Sequence, residues 1–183
     1  MYTGALKYLL GVTSTTANDL CYSELGVPSL SAYVKHRQCQ FFSRMLSERR
    51  GMTDDPLNFA LELTRSHNQK LYLYIHRLLS NSDPIRDFSN GLHHKITNSD
   101  RSKYVTYRTI NPDFAVHQIY TRDIRNVTLI PEYLRVVLTR TRLSSHRLRI
   151  ETGRWSRLPR EQRLCRCGAV QDEQHVLQDC ALV

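Results

Sequence analysis

Near its C-terminus the chain carries Cys165, one residue, Cys167, seven residues, His175, four residues and Cys180. No other stretch restricts the backbone as tightly. Three sulfurs and an imidazole nitrogen are the donor set of a tetrahedral zinc ion, and a bound ion would draw all four positions to one point. Cysteines two apart point to opposite faces of a regular strand, so both can serve only if the backbone turns between them. Gly168 permits such a turn. Asp172 and Glu173 suit a helix N-terminus that would carry His175 and Cys180 back toward the thiolates. Arg163 and Arg166 flank the first two cysteines and would favour thiolate over thiol. Four protein donors leave no open position for an activated water, so one structural zinc ion per chain is expected. The competing reading is three unrelated buried cysteines and a surface histidine.

The charge around this cluster is one-sided. Residues 1–91 hold ten lysines and arginines against eight acids, and residues 92–183 hold sixteen against nine. Within the second half lie Arg135, Arg140, Arg142, Arg147, Arg149, Arg154, Arg157, Arg160, Arg163 and Arg166, opposed over the same stretch only by Glu151 and Glu161. Such a field attracts polyanions, RNA or DNA first among them. The arginines can pair bidentately with phosphates, and Trp155 among them is either a stacking surface or a core residue. The alternative is a solvated helix face with acids supplied from the first half. An acidic protein partner, bound by a zinc-stabilised helical module, is a further alternative.

The rest of the sequence predicts a mainly α fold, a helical domain followed by a small zinc-knuckle appendage. Gly11 ends a short helix from Gly4, Thr16 or Asn18 caps a second, and Gly26 ends that one. Ser29 caps a longer helix to about Arg50 with Tyr33, Val34, Phe41, Phe42, Met45 and Leu46 at helical spacing. Asp55–Pro56 and Asp83–Pro84 each read as an N-cap followed by the favoured first-turn proline. Leu71, Ile75, Leu78 and Leu79 form one stripe between them. Residues 89–103 are polar and are expected as a hinge. Pro131 opens an arginine-rich helix whose Tyr133, Leu134, Val137 and Leu138 are expected to face a core. Leu148 to Glu151 reads as a short strand broken by Gly153. The expected organisation is a helical segment over 1–90, a linker region over 91–130, and an arginine-rich helix with the knuckle over 131–183.

Other candidates are weaker. Met52 to Asp55 contains paired aspartates, as in two-metal polymerase sites, but Pro56 cannot donate to a strand ladder and makes Asp55 a helix start. His93 and His94 are adjacent and expected in an exposed loop. Cys21 and Cys39 sit in apolar helical stretches without nearby ligands and are expected in the core. An odd number of cysteines speaks against a disulfide framework. The apolar run before Leu20 is short and interrupted by Lys7, which suits neither signal peptide nor membrane span; an intracellular protein, nuclear or cytoplasmic, is expected.

With these residues in view, the chain resembles the C-terminal end of the reverse transcriptases of LINE-type non-LTR retrotransposons. Leu9 to Val12, Asn18 to Leu20, Glu24 to Leu30 and Arg37 to Phe42 resemble the helical region after the polymerase palm. Arg149 to Trp155 and Arg163 to Leu177 resemble the family's terminal cysteine-histidine knuckle. The resemblance implies a thumb-like segment, a linker and a knuckle that helps hold template RNA or target DNA, with Cys165, Cys167, His175 and Cys180 as its ligands. It implies no catalytic residue in this chain: the palm and its aspartates would lie before Met1. The chain is then a non-catalytic fragment, or a piece of a longer RNA-directed DNA polymerase whose polymerase domain would be a partner.

Overall fold

A computed structural model describes residues 1–47, 65–80, 83–114 and 131–182, without the side chains of residues 45–47, 71, 72 and 79. The Asp55–Pro56 start, the paired aspartates before it, the stretch 115–130 and the side chains of Met45, Leu46, Leu71 and Leu79 lie outside the described residues. What is described is mainly helical, with α1 Tyr2–Leu10, α2 Asn18–Leu25, α3 Leu30–Ser47, α4 Gln69–Ser80, α5 Pro84–Thr97, α6 Ser102–Ile110, α7 Glu132–Arg142 and α8 Arg149–Trp155. A 3-10 turn (Arg160–Gln162) and a π-turn (His175–Asp179) follow. The chain divides into two compact units: Met1–Gly26 with Lys95–Val183, and Val27–His94. The expected 1–90 segment is therefore split, because α1 and α2 pack with the C-terminal half.

The caps fall where short-range chemistry places them. Gly11 and Gly26 close α1 and α2 in the left-handed conformation. The Ser29 hydroxyl accepts the Ala32 N–H at 3.2 Å, and Asp83 Oδ1 accepts the Ile85 N–H at 3.0 Å. That backbone donor is the main reason the Asp83 carboxyl lies below its ordinary range. Thr16 is no cap: its hydroxyl donates to Ser145 Oγ at 3.0 Å, and α2 starts without a side-chain cap. The expected hinge is largely helix, since α5 continues to Thr97. Arg108 holds its exit by donating to the carbonyls of Ile96, Thr97 and Ser99. His93 and His94 are exposed, on that helix rather than on a loop.

In the unit Val27–His94, α3 packs on α4 through buried Ala32, Ile75 and Leu78. Cys39 Sγ reaches the Leu78 carbonyl at 3.2 Å and Tyr74 donates to Gln38 at 2.8 Å. Cys39 is thus half-buried rather than a core residue. Tyr33, Val34 and Phe41 are exposed.

The other unit has a core of Leu10, Leu20, Cys21, Leu25, Ile96, Tyr104, Tyr107, Leu143 and Ile150. Each such aliphatic side chain contributes about 1.5–3 kcal/mol when fully buried. At its centre is a fully buried carboxylate, Glu24. Arg142 meets it at 2.6 and 3.1 Å, and Tyr107 donates to it at 3.2 Å. This pairing turns α7 over relative to the expectation from its apolar stripe. Thr139 is fully buried, Arg135 and Arg142 are largely covered, and Tyr133, Leu134, Val137 and Leu138 are exposed. A buried carboxylate without a cation would cost several kcal/mol, so the face that supplies the arginine turns inward.

Candidate metal centre and its basic surroundings

The segment Leu164 to Val170 is a tight antiparallel turn rather than a strand. Leu164 and Val170 form a single bridge, the Cys165 N–H donates to the Ala169 carbonyl at 2.7 Å, and the Gly168 N–H donates to the Cys165 carbonyl at 3.0 Å. Gly168 adopts φ +91°, which side-chain-bearing residues rarely adopt. The turn places both cysteines on one side. The other two donors come from the π-turn, whose first amide, His175 N–H, is held by Asp172 Oδ1 at 2.9 Å. In a regular α-helix, residues five apart lie about 140° apart around the axis. Widening the coil to a π-turn, with its i to i+5 repeat, stacks Cys180 over His175.

The four donor atoms lie within 4.8 Å of one another, a group that could hold a metal ion. Cys165 and Cys180 Sγ are 3.8 Å apart, and Cys167 Sγ is 3.1 Å from His175 Nε2. A tetrahedral ion with bonds to sulfur of about 2.3 Å holds its sulfurs about 3.8 Å apart, so the residues fit such an ion. The backbone N–H of Cys167 and then the His175 ring hold the Cys165 thiol down to about 6. Neither flanking arginine, Arg163 or Arg166, is among the leading causes. Arg163 turns away and donates to the carbonyls of Leu158 and Ile150 at 2.6 to 2.9 Å.

That turn of Arg163 explains Gly153. A Cβ there would stand 2.6 Å from Arg163 Cγ. Gly153 is buried inside α8, where the sequence reading expected a strand and a break. The helix braces the segment that carries the four donors: the Gln171 carbonyl accepts the Ile150 N–H at 3.0 Å and Gln171 Oε1 accepts the Arg149 N–H at 2.9 Å. Glu173, buried, accepts from His146 Nε2 at 2.8 Å, while His146 Nδ1 takes the Leu148 N–H at 3.3 Å. With both ring nitrogens engaged, this grouping is a brace. Burial raises the Glu173 carboxyl, but the His146 hydrogen bond, the Glu173 backbone N–H and the nearby His146 and Arg154 charges together outweigh it, and the net direction is down. Neighbouring Glu151 goes up through burial. Arg154 Nη1 stands 2.6 Å from its Oε1, outside hydrogen-bond geometry, and Lys103 Nζ is 3.6 Å from Oε2.

The ten arginines therefore divide. Arg142, Arg154 and Arg163 are committed to internal partners, and Arg135 pairs with Glu132 at 3.2 Å. Arg140 is exposed with its Nε on the Gly11 carbonyl, and Arg160 is exposed and paired with Asp172 at 2.8 Å. Arg147, Arg149, Arg157 and Arg166 are exposed, with no side-chain partner among the described residues. Trp155 is 63% exposed and is not a core residue. Cys21 is buried, and burial pushes its thiol up to about 11. The internal carboxylates are what sequence reasoning missed. Glu24, an acid on a helix that otherwise buries Leu20, Cys21 and Leu25, was the available signal. Comparison with family models, curated proteins and solved structures gives no match.

Proposed function

We propose that the chain is a non-catalytic, zinc-stabilised helical module that holds nucleic acid, equivalent to the thumb, linker and knuckle region that ends a LINE-type reverse transcriptase. The observation that carries this reading is the exposure of Arg147, Arg149, Arg157 and Arg166, without side-chain partners among the described residues and all on or beside the metal lobe and α8. Pairing takes up Glu151, Glu173 and Asp172, exposed Glu161 and Asp179 remain, and these four arginines face solvent. Zinc is the ion that a three-sulfur, one-nitrogen tetrahedral set selects, and with all four positions filled by protein it shapes the lobe and performs no chemistry. Arg166, lying between the two turn cysteines, is presented by that ion.

Elemental analysis of protein purified under reducing conditions, with binding of an arbitrary RNA and an arbitrary duplex across salt, tests the reading. Expected are one zinc per chain and an affinity that falls steeply between about 50 and 200 mM salt. Zinc content near zero, or no affinity for either polymer at the lower salt, defeats it.

The exposed stripe Tyr133, Leu134, Val137 and Leu138 on α7 favours a second reading, a protein-interaction module whose partner includes the polymerase part of a longer product. It predicts the absence of nucleic-acid affinity at low salt.

A further inference from the structure

Beside α8 a groove of about 530 Å³ runs between residues of α1's exit, α7 and α8, lined by Thr15, Lys103, Arg140, Arg147, Thr152 and Trp155 among others. Its cations are presented differently. Arg140 is anchored through Nε to the Gly11 carbonyl at 2.7 Å, leaving the terminal nitrogens of its fork for a ligand. Arg147 is exposed without a side-chain partner among the described residues, and Lys103 leans on Glu151 at 3.6 Å. Among the described residues, no aspartate or glutamate lines it. The remaining wall is hydroxyl-rich, apart from Val137, His146 and Trp155, the last being the single tryptophan of the chain and 63% exposed.

We infer that this groove binds a single strand, RNA or DNA, with an unstacked base lying on the Trp155 indole and the adjoining phosphates on Arg140 and Arg147. The inference rests on the nucleic-acid reading above and sharpens its substrate. A duplex hides its base faces, and its grooves alone are about 12 Å wide, so it neither enters a space of this size nor stacks on an indole. A single strand offers both a π-face and a backbone charge every nucleotide, the pairing that an exposed aromatic beside arginines accommodates without regard to sequence. An acidic peptide would use the cations and leave the indole unoccupied.

Because Trp155 is the only tryptophan, its emission reports the groove directly. Zinc-loaded full chain is titrated with oligo(dT), oligo(U) and a blunt-ended duplex. Both single strands are expected to quench the tryptophan strongly and the duplex to leave it nearly unchanged. Trp155→Ala should weaken oligo(U) binding about tenfold, with Trp155→Phe restoring much of it, and Arg147→Ala should lower the salt dependence by about one counterion. Two results overturn the inference: equal binding of duplex and single strands without quenching, or an unchanged affinity in Trp155→Ala. In either case salt-dependent binding would leave the broader nucleic-acid reading standing, whereas loss of all binding at low salt removes both. Since Trp155 is exposed, its variants test binding rather than folding, and the wild-type quenching needs no variant.

Discussion

Arg142 reaches back 118 positions to Glu24 and holds both its carboxylate oxygens, Nε to Oε1 at 2.6 Å and Nη2 to Oε2 at 3.1 Å. Removing one partner strands a buried charge. Arg142→Ala should destabilise the unit by about 3–5 kcal/mol, whereas Glu24→Leu combined with Arg142→Met should recover most of the loss. Chemical denaturation of the single and double variants reads this directly. A double variant no more stable than Arg142→Ala would show that the pair is not the source of the penalty.

The inward face of α7 makes a second prediction. Thr139 is fully buried while Val137 is 55% exposed. Thr139→Arg should cost several kcal/mol, since it inserts an unpaired charge and excess volume, and Val137→Arg should stay within about 0.5 kcal/mol. Equal effects in the same denaturation assay would mean the helix does not sit as described.

Metal removal should loosen more than the turn that carries the cysteines. The Gln171 carbonyl closes the Ile150 N–H of α8, and Arg163 donates to the Ile150 carbonyl. Chelation, or Cys167→Ser, is therefore expected to raise hydrogen exchange at the Ile150 amide as well as in residues 163–180, with little change at Ile75 and Leu78. Exchange confined to the cysteine turn would contradict that coupling.

Two tyrosines should ionise late. Burial, then the Glu24 charge, pushes Tyr107 up to about 12; burial, then the hydrogen bond to Asp19, does the same for Tyr104. A raised folded-state pKa contributes stability that is fully present below the unfolded value near 10 and is lost as pH rises through about 12. Ultraviolet absorbance should show a late tyrosinate step that coincides with alkaline unfolding and shrinks in Tyr107→Phe. A single step near 10 for every tyrosine would rule this out.

The parts of the fold that were legible in the sequence are those governed by neighbours in the chain. Gly11 and Gly26 end their helices, Ser29 and Asp83 begin theirs, and Asp172 starts the turn that carries His175. The metal cluster was legible for the same reason: its donors span a short segment, and their chemistry allows one geometry. The α8 helix was misread because Gly153 looks like a break until Arg163 is laid over it.

For the four donors, the sequence by itself determined which residues meet, since a turn at Gly168 and one widened coil suffice to bring them together. Tertiary structure decided which arginines face solvent. Helical periodicity ranks faces by hydrophobicity alone, and so it placed Val137 inside and Arg142 outside. The actual choice depended on Glu24, buried in α2, whose desolvated charge outweighs the exposure of four apolar side chains. Such a pairing across distant segments leaves Glu24 as its one local trace and no sign of which arginine answers it.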